Sequence, residues 1–303
     1  MVWKIIFSLL FIILSIGMLV LYWFVPFKTI EFGMKPSNSN FSLNNYVTEN
    51  MQFYQNMRYI DSKISYKIED CSLQKRNDME RAFEIISNMT ILNFYSVNNN
   101  EEISVTCDSK IKIEEGLFIA GEGGPTNITL AGKFNVILHG KILLIRESKC
   151  EKPNVALHEL LHALGFNHSN NPNNIMYPIS KCRQTVGLDI IELINKIYLI
   201  PSYPDLVFED VSAMMHGRYL DVNMSIRNNG IKDSEEVKVI IYADDTFVKE
   251  IKLDALEVGY GRIIILNNIW IKKININNLR FVIDSDFNEL EKKNNEIILE
   301  IKK

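Results

Sequence analysis

Three of the chain's five histidines fall within eleven residues, in the run HELLHALGFNH from His158 to His168. On a helix, residues four apart share a face, so His158 and His162 project together, one turn apart. Imidazole nitrogens so placed bind one zinc ion at about 2.0–2.1 Å. Gly165 permits a positive φ, which ends the helix and turns the chain back, so that His168 can supply a third ligand. Three neutral nitrogens leave a fourth position for water, as in a catalytic rather than a structural zinc site. Zinc lowers the pKa of that water to roughly 7 and polarises a carbonyl. Glu159, beside the first ligand, reaches the open side of the metal. It can take the water's proton and pass it to a leaving amine. The implied reaction is hydrolysis of an amide in a peptide or protein substrate, with one zinc ion as cofactor. Calcium sites cannot be assigned. The plain alternative is a helix with solvent-exposed histidines. It leaves unexplained the glycine and the methionine that follows in NNIMYP, Met176.

The elements that position these residues are legible in outline. A helix is expected from Pro153 to Leu164, stopped by Gly165, and a second from Leu188 to Leu199. Upstream, Ile64, Tyr66 and Ile68 alternate as in a half-buried strand. Ser72 can cap a helix whose Met79, Ala82, Phe83 and Ile86 share a face. EEISVTC alternates again. AGEGGPTNITLAG, Ala120 to Gly132, reads as a Gly/Pro-rich loop at the substrate cleft that enters a strand. It lacks the Lys-Ser/Thr of a phosphate-binding loop. FNVILHGKILLI reads as a hairpin turning at His139-Gly140. Pro201 and Pro204 mark a boundary. Beyond them, six or seven short apolar runs in about 100 residues suggest an antiparallel sandwich. Residues 28–60 are polar and aperiodic and read as a stem, with folded structure beginning near Asp61.

From Ile5 to Phe27 there is no charged residue, a run long enough to span a bilayer. Trp3, Tyr22 and Trp23 lie near its ends, where interfacial aromatics belong. No small-residue cleavage site follows, so residues 1–27 read as an uncleaved signal anchor. The very short N-terminal flank places the remainder outside the cytoplasm. Net charge is −4 with no basic block, which argues against a nucleic-acid partner. None of the four cysteines has C-x-x-C spacing, which disfavours a zinc knuckle. They allow three pairings. We expect Cys71–Cys107 and Cys150–Cys182, each closing one local region, and four buried thiols are the alternative.

At these residues the chain resembles the metzincin metalloproteases, and HELLHALGFNHS with IMYP is most similar to the matrixin branch. The resemblance implies that Met176 underlies the zinc as a hydrophobic base, in a Met-turn with Tyr177 and Pro178. Pro178 stands where some branches place a metal-binding tyrosine, so no fifth ligand is implied. It also implies that substrate adds to a strand edge within Asn127 to Ile145, and that the segment after Met176 walls the specificity pocket. No cysteine in residues 28–60 supports cysteine-switch latency, and with His139 alone upstream a second zinc site is not expected. His139 reads as a turn residue and His216 as a surface or interdomain residue. Residues 203–303 resemble CARDB-type immunoglobulin-like modules, through PDLVFEDV and the closing DSDFNELEKKNNEIILEI. The expected architecture is α+β. A transmembrane helix (1–27) and a stem (28–60) precede a matrixin-like metallopeptidase domain (61–200) and an all-β CARDB-type sandwich (203–303). The main functional expectation is a membrane-anchored extracellular zinc endopeptidase. The alternative is a surface adhesion protein that binds a cell-surface ligand through its sandwich domain.

Overall fold

The structure, a computed structural model, describes residues 2–24, 30–34, 51–110, 113–114, 117–147, 150–273 and 275–302. Helix α1 spans Val2–Phe24. Its segment Trp3–Leu21 has a mean hydropathy of 2.6, and none of it is buried in the protein. That is long and apolar enough to cross a bilayer, although a signal sequence passes the same test. Strand β1 spans Ile30–Met34.

The first folded unit is a mixed sheet. Its elements are β2 (Met57–Tyr59), β3 (Lys63–Ile68), helix α2 (Leu73–Met89), β4 (Asn93–Ser96) and β5 (Ile103–Cys107). A short ribbon, β6 (Ile113–Glu114) with β7 (Leu117–Phe118), leads into β8 (Gly121–Ala131) and β9 (Phe134–Leu144). Helices α3 (Asn154–Ala163) and α4 (Leu188–Tyr198) complete the unit. Strands β4, β3, β5 and β9 are parallel neighbours in that order, and β2 joins β9 beside β5. Strand β8 runs antiparallel along the whole of β9 and forms the edge. Ser72 caps α2 by accepting from the Lys75 amide, and Met79, Ala82, Phe83 and Ile86 enter one core with α3 and α4.

Two expectations fail here for identifiable reasons. GEGGPT is strand, not loop, because Gly121 and Gly123 face the neighbouring helix at close range and not a turn. A Cβ on Gly123 would lie 2.2 Å from the Glu159 carbonyl oxygen. His139-Gly140 lies in the middle of β9, and the chain reverses at Gly132, φ 55°. Gly140 is needed because a Cβ there would lie 2.4 Å from Tyr59 Oη. His139 bridges Ser104 Oγ (2.9 Å) and Thr126 Oγ1 (2.7 Å), so it is a strand residue, not a turn residue.

The second unit is antiparallel throughout. Its strands are β10 (Leu206–His216), β11 (Tyr219–Asn228), β12 (Val237–Ala243), β13 (Thr246–Leu253), β14 (Gly261–Trp270), β15 (Asn278–Asp284) and β16 (Glu296–Ile301). The eighth strand comes from the other end of the chain. β1 lies between β16 and β10, pairing Phe32 with Ala213 on one side and Ile301 on the other. Phe32 is 1% exposed, in the core of this unit. The stem expected over 28–60 is therefore corrected at both ends. Residues 30–34 complete the second unit and residues 51–60 belong to the first. Residues 35–50 lie outside the described residues. A five-residue strand is too short to show a period in sequence, and its partners lie far along the chain.

The two units meet at an apolar seam. Ala131, Phe134 and Val136 of the β8–β9 hairpin pack on Ile231 and Val258. Gly132 sits against the Asn229 carbonyl, and Gly259, φ 74°, against Thr129 and Leu130. Arg58, 1% exposed, ties down the connection. Its guanidinium donates to the carbonyls of Tyr59 (3.0 Å), Ile60 (2.9 Å), Ile197 and Ile200 (both 2.8 Å) and to Ser202 Oγ (3.0 Å). It also lies over the Tyr198 ring at 4.5 Å.

Candidate metal centre

Helix α3 is the scaffold. Its residues from Ala156 to Ala163 are all buried. After it, Gly165 takes φ 94° and releases the chain. Its amide donates to the His162 carbonyl and the Phe166 amide to the Leu161 carbonyl, which closes the helix end. The chain then returns with His168.

The three imidazoles converge. His162 Nε2 lies 3.0 Å from His158 Nε2 and 3.1 Å from His168 Nε2. The other ring nitrogens face carbonyls: His158 Nδ1 donates to Ile175 O and His162 Nδ1 to Phe166 O, each at 2.7 Å. A carbonyl only accepts, so these two Nδ1 atoms carry the protons and the facing Nε2 atoms present lone pairs. Lone pairs at this separation repel unless a cation lies between them. Tetrahedral zinc at about 2.05 Å would set its nitrogen ligands about 3.3 Å apart, so the site fits zinc. Burial lowers the pKa of all three histidines, taking His162 down to about 4 with help from its two histidine neighbours. They are therefore neutral at pH 7, as ligands must be.

Glu159 lies beside the cluster, 6% exposed. Burial, helped by the Glu122 carboxylate, pushes its carboxyl up to about 8. Its side chain fits beneath β8 only because Gly121 has none; a Cβ there would lie 2.9 Å from Glu159 Oε1. Met176 is buried, 1% exposed, in the same core as α3. Its carbonyl accepts from the Ser169 amide and its amide donates to Asn174 Oδ1, which draws the turn back under His168. Tyr177 is half-buried, and Pro178 is exposed at the start of the following loop. That loop is held by Gln184, 2% exposed, which donates to Ile179 O and Pro172 O.

Both expected disulfides are present, Cys71–Cys107 and Cys150–Cys182. The first joins the start of α2 to the end of β5. The second ties the approach to α3 to the loop after the Met-turn, where Asn154 Nδ2 also donates to Lys181 O. His216 is on the surface, at the far end of β10. Sequence reading missed Phe53, which stacks on His162 at 5.7 Å, and Gln52, which bridges to Phe166. The apolar Met57, Tyr59 and Ile60 are the signal that residues 51–60 are folded.

Compared with known protein families, residues 56–199 match matrixin and residues 203–298 match CARDB. The chain carries a matrixin domain followed by a CARDB domain. A search of curated proteins gives no match. Matrixin is a metalloprotease family, so the histidine cluster of the matrixin domain is a candidate zinc centre.

Proposed function

We propose that this protein is a membrane-anchored zinc endopeptidase whose catalytic and CARDB domains lie outside the cytoplasm. The convergence of His158, His162 and His168 beside the buried carboxyl of Glu159 carries the reading. His158, His162 and His168 would hold the zinc on their converging Nε2 atoms, and two backbone carbonyls fix the first two rings. When bound, zinc supplies a Lewis acid that acidifies water and polarises a carbonyl. Glu159 takes the proton of the attacking water on its carboxylate and returns it to the amide nitrogen as the C–N bond breaks. Among the described residues β8 pairs with β9 alone, which leaves an edge along which an extended peptide can add as a further strand. Met176 is the apolar floor of the site, and the loop after Pro178 walls the pocket for the substrate side chain. The two disulfides and the apolar α1 support an oxidising compartment at the membrane surface.

The test is cleavage of a proteome-derived peptide library by the full chain in detergent, wild type against Glu159→Gln, with zinc quantified in each. We expect the variant to keep one zinc per chain and to lose about 10²–10⁴-fold in kcat/KM. Undiminished cleavage by the variant would remove Glu159 from the mechanism. The adhesive alternative leaves a buried carboxyl beside three converging imidazoles without a use.

A further inference from the structure

The CARDB domain has two ends, and they face different things. One end carries Asn229, Ile231, Val258 and Gly259 and is occupied by the matrixin domain. The other is where the chain arrives from α1. Strand β1 starts there, with Ile30 paired to Met215 at the last turn of β10. Five residues separate Phe24 from Ile30, so the chain can bridge at most about 20 Å between helix and sheet.

The sheet register brings a distinct set of side chains to that same end. Tyr219 opens β11 and pairs with Trp270, the last residue of β14. Phe247, at the start of β13, and Trp270 line a cleft of about 180 Å³ with Val248, Lys272 and Lys273. Tyr219, Phe247 and Trp270 are each more than half exposed. Arg218 holds the rim together, donating to the Lys272 carbonyl at 2.9 Å while accepting from the Ile271 amide. The acids at this end are engaged. Asp244 accepts from the Asn277 and Asn278 amides, and Asp245 pairs with Arg280. Asp221 lies 3.8 Å from His216 Nε2, and Glu31 pairs with Lys302. Among the described residues, neither Lys272 nor Lys273 has an acidic partner.

Exposed aromatics interleaved with free cations, tethered within about 20 Å of an apolar helix, have the composition of a membrane interface. We propose that this rim rests in the headgroup layer of the membrane that holds α1. Tyr219, Phe247 and Trp270 enter the interface, and Lys272 and Lys273 meet anionic headgroups. The inference rests on the anchor reading above. It makes the CARDB domain a footing. Eleven residues of β10 hold the matrixin domain roughly 35 Å from the bilayer surface.

The test uses the full chain with Trp3→Phe and Trp23→Phe, which leaves Trp270 as its one tryptophan. It is reconstituted into phosphatidylcholine vesicles with and without phosphatidylglycerol, using lipids brominated near the headgroup. Trp270 emission should be blue-shifted and quenched, more so with the anionic lipid. Added Lys272→Glu and Lys273→Glu should reduce the quenching to the phosphatidylcholine level, as should high salt. These are exposed positions, so the variant is expected to fold, and near-UV circular dichroism checks it. A carbonate wash separates the two readings. Protein that resists the wash with Trp270 unquenched overturns the proposal alone and leaves the rim to a protein partner. Protein that washes off overturns the anchor and the proposal with it.

Discussion

Gly121 and Gly123 set how closely β8 can approach α3, and hence where Glu159 sits. Gly123 meets backbone, the Glu159 carbonyl, which has no rotamer to escape into. Gly123→Ala should therefore push strand and helix apart, destabilise the matrixin domain by about 1–3 kcal/mol and lower kcat. Gly124→Ala is the control, since a Cβ there meets nothing within 4 Å and should leave both unchanged. Thermal unfolding and turnover of the two variants check the pair. Spacing alone reveals His158, Glu159, His162, Gly165 and His168, because a helix repeat converts sequence distance into direction. It does not reveal Gly121 or Phe53. Their roles come from tertiary contacts with no local period, and GEGG carries the same letters whether it is a loop or a strand under a helix.

At the scale of elements, the connection between domains hangs on one cation. All five N–H donors of Arg58 are used, four of them on carbonyls from β2, its exit and the end of α4. Arg58→Met keeps the length and orphans those carbonyls. We expect a loss of about 3 kcal/mol or more in denaturant unfolding, with the two domains separating in their transitions. A second device lies at the start of β10. Glu289 accepts from the Leu206 amide and from Asn295, and also from Ser285, while Asn294 donates to Asp205. Thus the closing NELEKKNN motif is a set of hydrogen bonds that fastens the start of β10 to the turn before β16. Burial raises the Asp205 pKa, Asn294 opposes this, and Glu289 adds to it. A raised folded-state pKa means that the carboxyl favours folding when protonated and disfavours it once ionised. Asp205→Asn should therefore gain stability relative to wild type as pH rises from about 3.5 to 7. A melting-temperature difference that does not change over this range would contradict it. Helices α2, α3 and α4 and the seven strands after Pro204 are readable from periodicity and turns. The hairpin expected at His139-Gly140 is not there, because the polar and glycine residues between the apolar runs VIL and ILL look like a turn in sequence but lie within one long strand.

On the scale of the whole molecule, the chain does not run from stem to catalytic domain to distal module. β1 returns the N-terminal segment to the CARDB sheet, so that domain is next to α1 and the matrixin domain lies beyond it. Phe32 tests this. Phe32→Ala should cost about 3–5 kcal/mol in the CARDB domain, read as faster amide exchange in β10 and β16, although the residue lies in the segment that reads as a spacer. Unchanged exchange there would place β1 outside the cooperative unit. The order of pairing also bears on biosynthesis. β1 emerges before the matrixin domain, yet its two neighbours, β10 and β16, are made after the whole of it. Until then its amides and carbonyls have no ladder, and β10 has an open flank. Loop-closure entropy makes such a pairing late and slow. Completion of the sheet thus reports that synthesis has passed β16. A chain stopped before Glu296 would carry a finished matrixin domain beside an unfinished CARDB sheet, with an open strand edge for proteases and chaperones to recognise.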